Sequence, residues 1–125
     1  MREGQTKLLY ERESYAIRGA CFEVYKQFGG AFKEKIIDNA LQIALKNKGL
    51  QIESQKRINI YYNNIKVGTY IPDIIVENKI IIELKCKAFV NKIDTDQFWK
   101  YLQGTNYKLG FLINFSPRKL EIKRI

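Results

Sequence analysis

Pro72-Asp73 and, after a short gap, Ile80-Ile81-Ile82-Glu83-Leu84-Lys85-Cys86 decide how this chain is read. The second segment is the most apolar run of the sequence, and its continuous isoleucines predict a central strand covered on both faces. Side chains alternate along a strand, so Glu83 and Lys85 share one face with Ile81, while Ile80, Ile82, Leu84 and Cys86 take the other. Asp73 sits on the preceding strand. It meets Glu83 on one face only if opposed residue numbers sum to an even value, which requires an odd hairpin loop such as Glu77-Asn78-Lys79, or a bulge. With that loop the two Cβ atoms come within about 5 Å. Carboxylates so close repel unless a cation lies between them, and ions on a core strand cost several kcal/mol each without compensation. A divalent metal would compensate, and the set then reads as a site for metal-assisted phosphodiester cleavage. The plainer alternative is a salt bridge between Lys85 and one of the carboxylates.

Working outward, residues 1 to 13 are polar and read as a loose lead-in. Ser14 is the expected cap of a helix to about Phe28, with Ile17, Ala20, Cys21, Val24 and Phe28 on its apolar face. Gly29-Gly30 breaks the chain, and a second helix is expected from about Phe32 to Lys48, stopped by Gly49. Period-two patterning follows over Gln55 to Tyr62, with Asn63-Asn64 as a tight turn because Asn tolerates positive φ. Lys66 to Val76 reads as the second strand, bent at Pro72 toward solvent, and Lys79 to Cys86 as the third. Asp94 to Gly104 reads as a third helix capped by Asp94 or Thr95, Lys108 to Phe115 as a buried strand, and Lys119 to Arg124 as a short basic edge strand. The helix between the third and fourth strands is long enough for a crossover, which makes those strands parallel. The predicted architecture is a single α/β domain over residues 1–125, with a mixed sheet of four to five strands flanked by helices.

Composition narrows the chemistry. Lys and Arg number 22 against 13 Asp and Glu, a net charge of +9 that favours a polyanionic partner, most simply nucleic acid. The chain has no His, which excludes a Ser-His-Asp triad, a Cys-His pair and His-ligated zinc. Its 2 cysteines, Cys21 and Cys86, are far apart and in apolar stretches, as reduced core cysteines are. The metal ligands on offer are oxygens, which suit Mg²⁺ or Mn²⁺. No run reaches the roughly 18 apolar residues of a membrane span, Met1-Arg2-Glu3-Gly4 does not open a secretory signal, and the expected place is the cytoplasm.

Helical spacing adds three candidates. Glu34 falls in the first turn of the second helix, on the stripe of Ile37 and Leu41; the plainer reading is a favourable charge at a helix N-terminus. Gln97 and Tyr101 are four apart and project together. Read plainly, Gln97 completes a capping box with Asp94 and Tyr101 is core.

These residues resemble the PD-(D/E)XK nuclease superfamily through Pro72-Asp73 and Glu83-Leu84-Lys85 within a helix, three strands, helix, strand order. Gln97-x-x-x-Tyr101 is similar to the QxxxY element of RecB-type and CRISPR-associated exonucleases. Almost the whole chain resembles the small GxxExxY family through Ile17-Arg18-Gly19-Ala20, Gly30-x-x-x-Glu34, Ala40-Leu41, Val67-Gly68-x-Tyr70-x-Pro72-Asp73, Gln97-x-x-x-Tyr101-Leu102 and Leu112-Ile113-Asn114-Phe115. Two positions depart from the family pattern: Ile37 replaces a Tyr, and Asp94 stands where a His is expected ahead of the Gln.

The resemblance implies a restriction-endonuclease-like fold and a Mg²⁺- or Mn²⁺-dependent nuclease acting on nucleic acid, DNA first. Asp73, Glu83 and the Leu84 carbonyl would hold the metal, with Glu34 as a further ligand, direct or through water. Lys85 would position the attacking water, stabilise the developing charge or act as base, and Gln97 and Tyr101 would orient Lys85 or the substrate backbone. Arg57, Lys66, Lys87, Lys92 and Lys100 are candidate phosphate contacts. A resolvase-like action on branched DNA would need a homodimer. The alternatives are a non-catalytic nucleic-acid-binding module or nuclease-complex subunit of the same fold, and a small protein–protein adaptor.

Overall fold

The computed structural model describes residues 9–125. Helix α1 (Glu11–Phe28) and helix α2 (Glu34–Asn47) are followed by strands β1 (Ile52–Ser54), β2 (Ile58–Tyr62), β3 (Ile65–Tyr70), β4 (Ile74–Val76) and β5 (Ile80–Lys85). Helix α3 (Lys92–Gln103) then leads to β6 (Leu109–Phe115) and β7 (Leu120–Arg124). The main sheet has five strands in the order β1-β4-β5-β6-β7, and β2 and β3 form a hairpin of their own. Strand β5 is central. It runs antiparallel to β4 and parallel to β6, as the α3 crossover requires.

The alternation read along β5 separates two cores. Ile80, Ile82 and Leu84 point to α1 and α2, where Ile17, Cys21, Ile37, Leu41 and Leu45 are buried together with Phe111, Ile113 and Phe115 of β6. On the opposite face Ile81 joins Ile75, Leu112, Phe98 and Leu102 of α3, and Tyr70 of β3. Glycine at 110 is required there: a Cβ would lie 2.5 Å from the Phe98 ring. The loop after β5 is fixed by Asn114, which is fully buried. Its Oδ1 accepts from the Lys87 N–H at 3.0 Å, and its Nδ2 donates to the Lys87 carbonyl at 3.0 Å and to Glu121 at 2.8 Å. A buried amide with all these bonds made positions a loop without a desolvation penalty.

Five expectations change. The first helix starts at Glu11, after Tyr10 in the left-handed region (φ 54°), and not at Ser14. Ser14 is buried, and its hydroxyl accepts from Arg124 at 2.8 Å, so it ties α1 to β7 in place of capping. The lead-in therefore ends at Tyr10, and its first eight residues lie outside those described. The segment 66–76 is two strands in two sheets, because Pro72 supplies no ladder donor and the chain turns there. A short β1, absent from the sequence reading, pairs with β4 and forms one edge of the main sheet. The cap of α3 is Asn91: its side chain accepts from the Asp94 N–H at 2.9 Å, and the Asp94 carboxylate accepts from the Asn91 N–H at 3.1 Å. Gln97 therefore takes no part in the capping box. Elsewhere the local chemistry is as read. Asn63 and Asn64 both have positive φ, and Gly49 (φ 83°) ends α2 with the Leu50 N–H bonding back to the Leu45 carbonyl. No described helix is long and apolar enough to cross a membrane.

Candidate active site

The hairpin between β4 and β5 is the three-residue loop Glu77-Asn78-Lys79, with Glu77 and Asn78 in the left-handed region. Its register pairs Ile74 with Ile82 and Ile75 with Ile81, so the next opposed pair is Asp73 with Glu83. The parity needed for the two carboxylates to share a face is therefore present. Strand β4 starts at Ile74, and the adjoining N–H of Leu84 is left without a strand partner on that side. The Asp73 Oδ2 accepts it at 2.7 Å. Pro72, itself buried, ends the ladder and lets the Asp73 side chain serve in its place.

Glu83 and Lys85 project to the α3 face, into a cleft of about 230 Å³ lined also by Tyr70, Asp94, Gln97, Phe98, Tyr101 and Leu112. The cleft thus gathers Glu83, Lys85, Gln97 and Tyr101 beside Asp73. Among the described residues, none of Asp73, Glu83 and Lys85 is in a salt bridge. The simple salt-bridge reading of Lys85 is not what the structure holds.

The electrostatics follow from burial and crowding. Burial, and then the charge of Asp73, push the Glu83 carboxyl from 4.5 up to about 7. Burial also raises Asp73, opposed by its bond from Leu84. Glu34, on the first turn of α2, is raised by burial and by Asp73, while Lys85 pulls it down. It lies at the α2 end of the site, does not line the cleft, and is exposed to solvent.

Two neighbours have no site role in the sequence reading, although Tyr70 stands within the GxxExxY match. Tyr70, buried at the end of β3, donates its hydroxyl to the Glu83 Oε1 at 3.2 Å and stacks on Tyr101, with ring centroids 4.4 Å apart and planes 10° apart. Asp38 is buried one helical turn beyond Glu34 and accepts from Gln42 at 2.8 Å. Its charge raises both Glu34 and Asp73. The four-residue spacing from Glu34 to Asp38 was the available signal; for Tyr70 it was the pairing of β2 with β3, which places it at the cleft wall.

The candidate phosphate contacts divide. Arg57, Lys66 and Lys100 are exposed and in no salt bridge among the described residues. Lys87 binds Asp94 at 2.7 Å and Lys92 binds Asp96 at 2.6 Å. The Asp94 that replaces the expected His is thus held by Lys87 and by the cap, and the bond from Lys87 lowers its carboxyl.

The carboxylates of Asp73 and Glu83 offer hard oxygens, which suit a divalent cation of the Mg²⁺ class. Among the described residues no three acidic or thiol side chains already form a metal cluster. The two crowded carboxylates are nevertheless raised in the sense that a cation would reverse.

Comparison with known proteins agrees with this geometry. Residues 11–125 match the family model described as the PD-(D/E)XK nuclease superfamily. No curated protein matches the chain. A solved crystal structure of a protein designated SSO0001 is similar at 21% identity, with a TM-score of 0.54, over 91% of this chain. This chain spans about 60% of that protein's length, and the likeness is one of fold.

Proposed function

The chain belongs to the PD-(D/E)XK nuclease superfamily, and from that premise we propose that it is a metal-dependent nuclease of the GxxExxY type, hydrolysing phosphodiester bonds of DNA in the cytoplasm. One observation carries the reading: the strand register sets Asp73 opposite Glu83, Glu83 and Lys85 line one cleft, and among the described residues none of the three is in a salt bridge. Asp73, Glu83 and the Leu84 carbonyl would hold Mg²⁺ or Mn²⁺, with Glu34 contributing from α2. When bound, such a cation neutralises charge on the scissile phosphate and lowers the pKa of an attacking water.

The chain's own residues do the rest. Lys85 orients the nucleophile or meets the charge that develops on the phosphate. Gln97 and Tyr101 line the same cleft and position Lys85 or the substrate backbone. The net charge of +9 favours a polyanionic partner. The test is incubation of single-stranded, duplex and branched DNA with the protein and Mg²⁺ or Mn²⁺. Cleavage of at least one substrate that disappears with EDTA is expected; no cleavage of any would contradict the reading.

Tyr70 gives a finer prediction. Its O–H donates to Glu83 and so favours the ionised carboxylate. Tyr70→Phe keeps the ring on Tyr101 and removes only the donor. Loss of such a supporting bond costs about 10–100-fold in metal affinity or activity. The variant should need correspondingly more Mn²⁺ for half-maximal cleavage, and its pH–rate profile should move upward. An unchanged Mn²⁺ requirement would show that the bond is incidental.

A further inference from the structure

The β2–β3 hairpin carries cations and no acids. From Gln55 to Pro72 there is no acidic residue, while Lys56, Arg57 and Lys66 are cations. Lys56 is bound to Glu53, which leaves Arg57 and Lys66. Ile58 and Ile60 face α3 and pack with Tyr70 on the second core. The opposite face carries Asn59 and Tyr61, with Thr69 across from Asn59 and Lys66 across from Tyr61. The register shifts between Ile60 and Tyr61, leaving Val67 without a partner, and this re-aims the tip.

Tyr61 and Tyr62, at that tip, are 60% and 69% exposed. Among the described residues neither ring stacks on another aromatic. Core packing therefore does not account for two adjacent tyrosines on a small, cationic hairpin. The hairpin also rises from the wall of the cleft. Its last residue, Tyr70, is the one that binds Glu83, and the tip lies about 16 Å beyond it at the usual rise per strand residue.

We propose that this hairpin is a binding arm for single-stranded nucleic acid, with Tyr61 and Tyr62 stacking on unpaired bases and Arg57 and Lys66 meeting the backbone. The occupant follows from the two features together. The absence of acids selects a polyanion, and exposed aromatic faces are of use against a nucleic acid whose bases are unstacked, since a duplex keeps its base faces inside. The inference rests on the reading of the cleft as a phosphodiester site, because it makes the substrate one with an unpaired segment that extends from that cleft.

Fluorescence anisotropy in EDTA, where no cleavage occurs, tests it with a labelled oligothymidylate and a duplex of equal length. Tyr61→Ala combined with Tyr62→Ala should weaken single-strand binding about 10–100-fold, the range for lost base stacking, and change duplex binding by no more than about twofold. Tyr61→Phe with Tyr62→Phe should retain binding. Arg57→Ala with Lys66→Ala should lower the slope of log affinity against log salt by about one to two. The proposal is overturned if the wild type does not bind the oligothymidylate. It is equally overturned if the alanine pair binds it as the wild type does, or if both ligands weaken alike. Binding and chemistry are read separately, because the anisotropy is taken where no cleavage occurs. A wild type that binds it through the tyrosines yet never cleaves would remove the nuclease reading and leave the arm.

Discussion

Lys85→Ala is expected to slow metal-dependent cleavage about 10²–10⁴-fold, the range for removing a group that transfers a proton or stabilises developing charge in the transition state. Lys85 lines the cleft beside Glu83. It is half-buried at the end of the central strand, on the face of Glu83, and it forms no salt bridge among the described residues. Asp94, the acidic side chain that shares the cleft, is already bound by Lys87 at 2.7 Å. A lysine in no salt bridge among the described residues, acting on the nearby carboxylates only through space, leaves little stability behind when removed, so the variant should keep the thermal unfolding midpoint of the wild type within a few degrees. Single-turnover cleavage with Mg²⁺, read beside that midpoint, separates chemistry from folding. Equal cleavage rates for variant and wild type would remove Lys85 from the mechanism.

Glu83→Gln should both abolish cleavage and stabilise the metal-free protein. The folded-state carboxyl is raised from 4.5 to about 7, chiefly by burial and then by Asp73. A raised acid is harder to ionise in the folded state than in the unfolded chain, so its ionisation subtracts stability. The loss is absent below pH 4.5, grows as the pH rises to about 7, and stays at full size above that. At about 1.4 kcal/mol per pH unit, the ionised residue costs on the order of 3–4 kcal/mol at pH 8. In EDTA at pH 8 the Gln variant should therefore melt several degrees above the wild type, and the gap should close as the pH falls toward 4. Mn²⁺ should reverse the order, because it pairs with the wild-type carboxylate and finds a poorer ligand in the amide. A variant less stable than wild type in EDTA at pH 8 would mean that Glu83 is not held at a cost.

Legibility in the sequence differed from element to element for physical reasons. The isoleucine run of β5 could be read because a strand covered on both faces has no polar positions to interrupt it. The pairing of Asp73 with Glu83 could be reduced to one parity condition because side chains alternate with period two. Ser14 misled because a hydroxyl suited to a helix cap is equally suited to a distant guanidinium, here Arg124. Asp94 misled for a related reason: Asn91, three residues before it, is as good a cap, and the two form the box together. Strand β1 has one apolar residue in three and exists through its pairing with β4, which no local pattern announces. The split of 66–76 was half visible, since Pro72 marked the bend but could not say that the two pieces join different sheets. Tyr70 and Asp38 needed the tertiary fold. One comes to Glu83 from a separate hairpin, and the other approaches Asp73 across the junction of α2 with the sheet.

The proposed chemistry depends on Asp73 and Glu83 together binding a divalent cation. Isothermal titration of Mn²⁺ into the wild type and into Asp73→Asn tests it without reference to any substrate. Saturable binding by the wild type and at least about tenfold weaker binding by the variant are expected. No Mn²⁺ binding by the wild type, or equal affinity in both proteins, would contradict it.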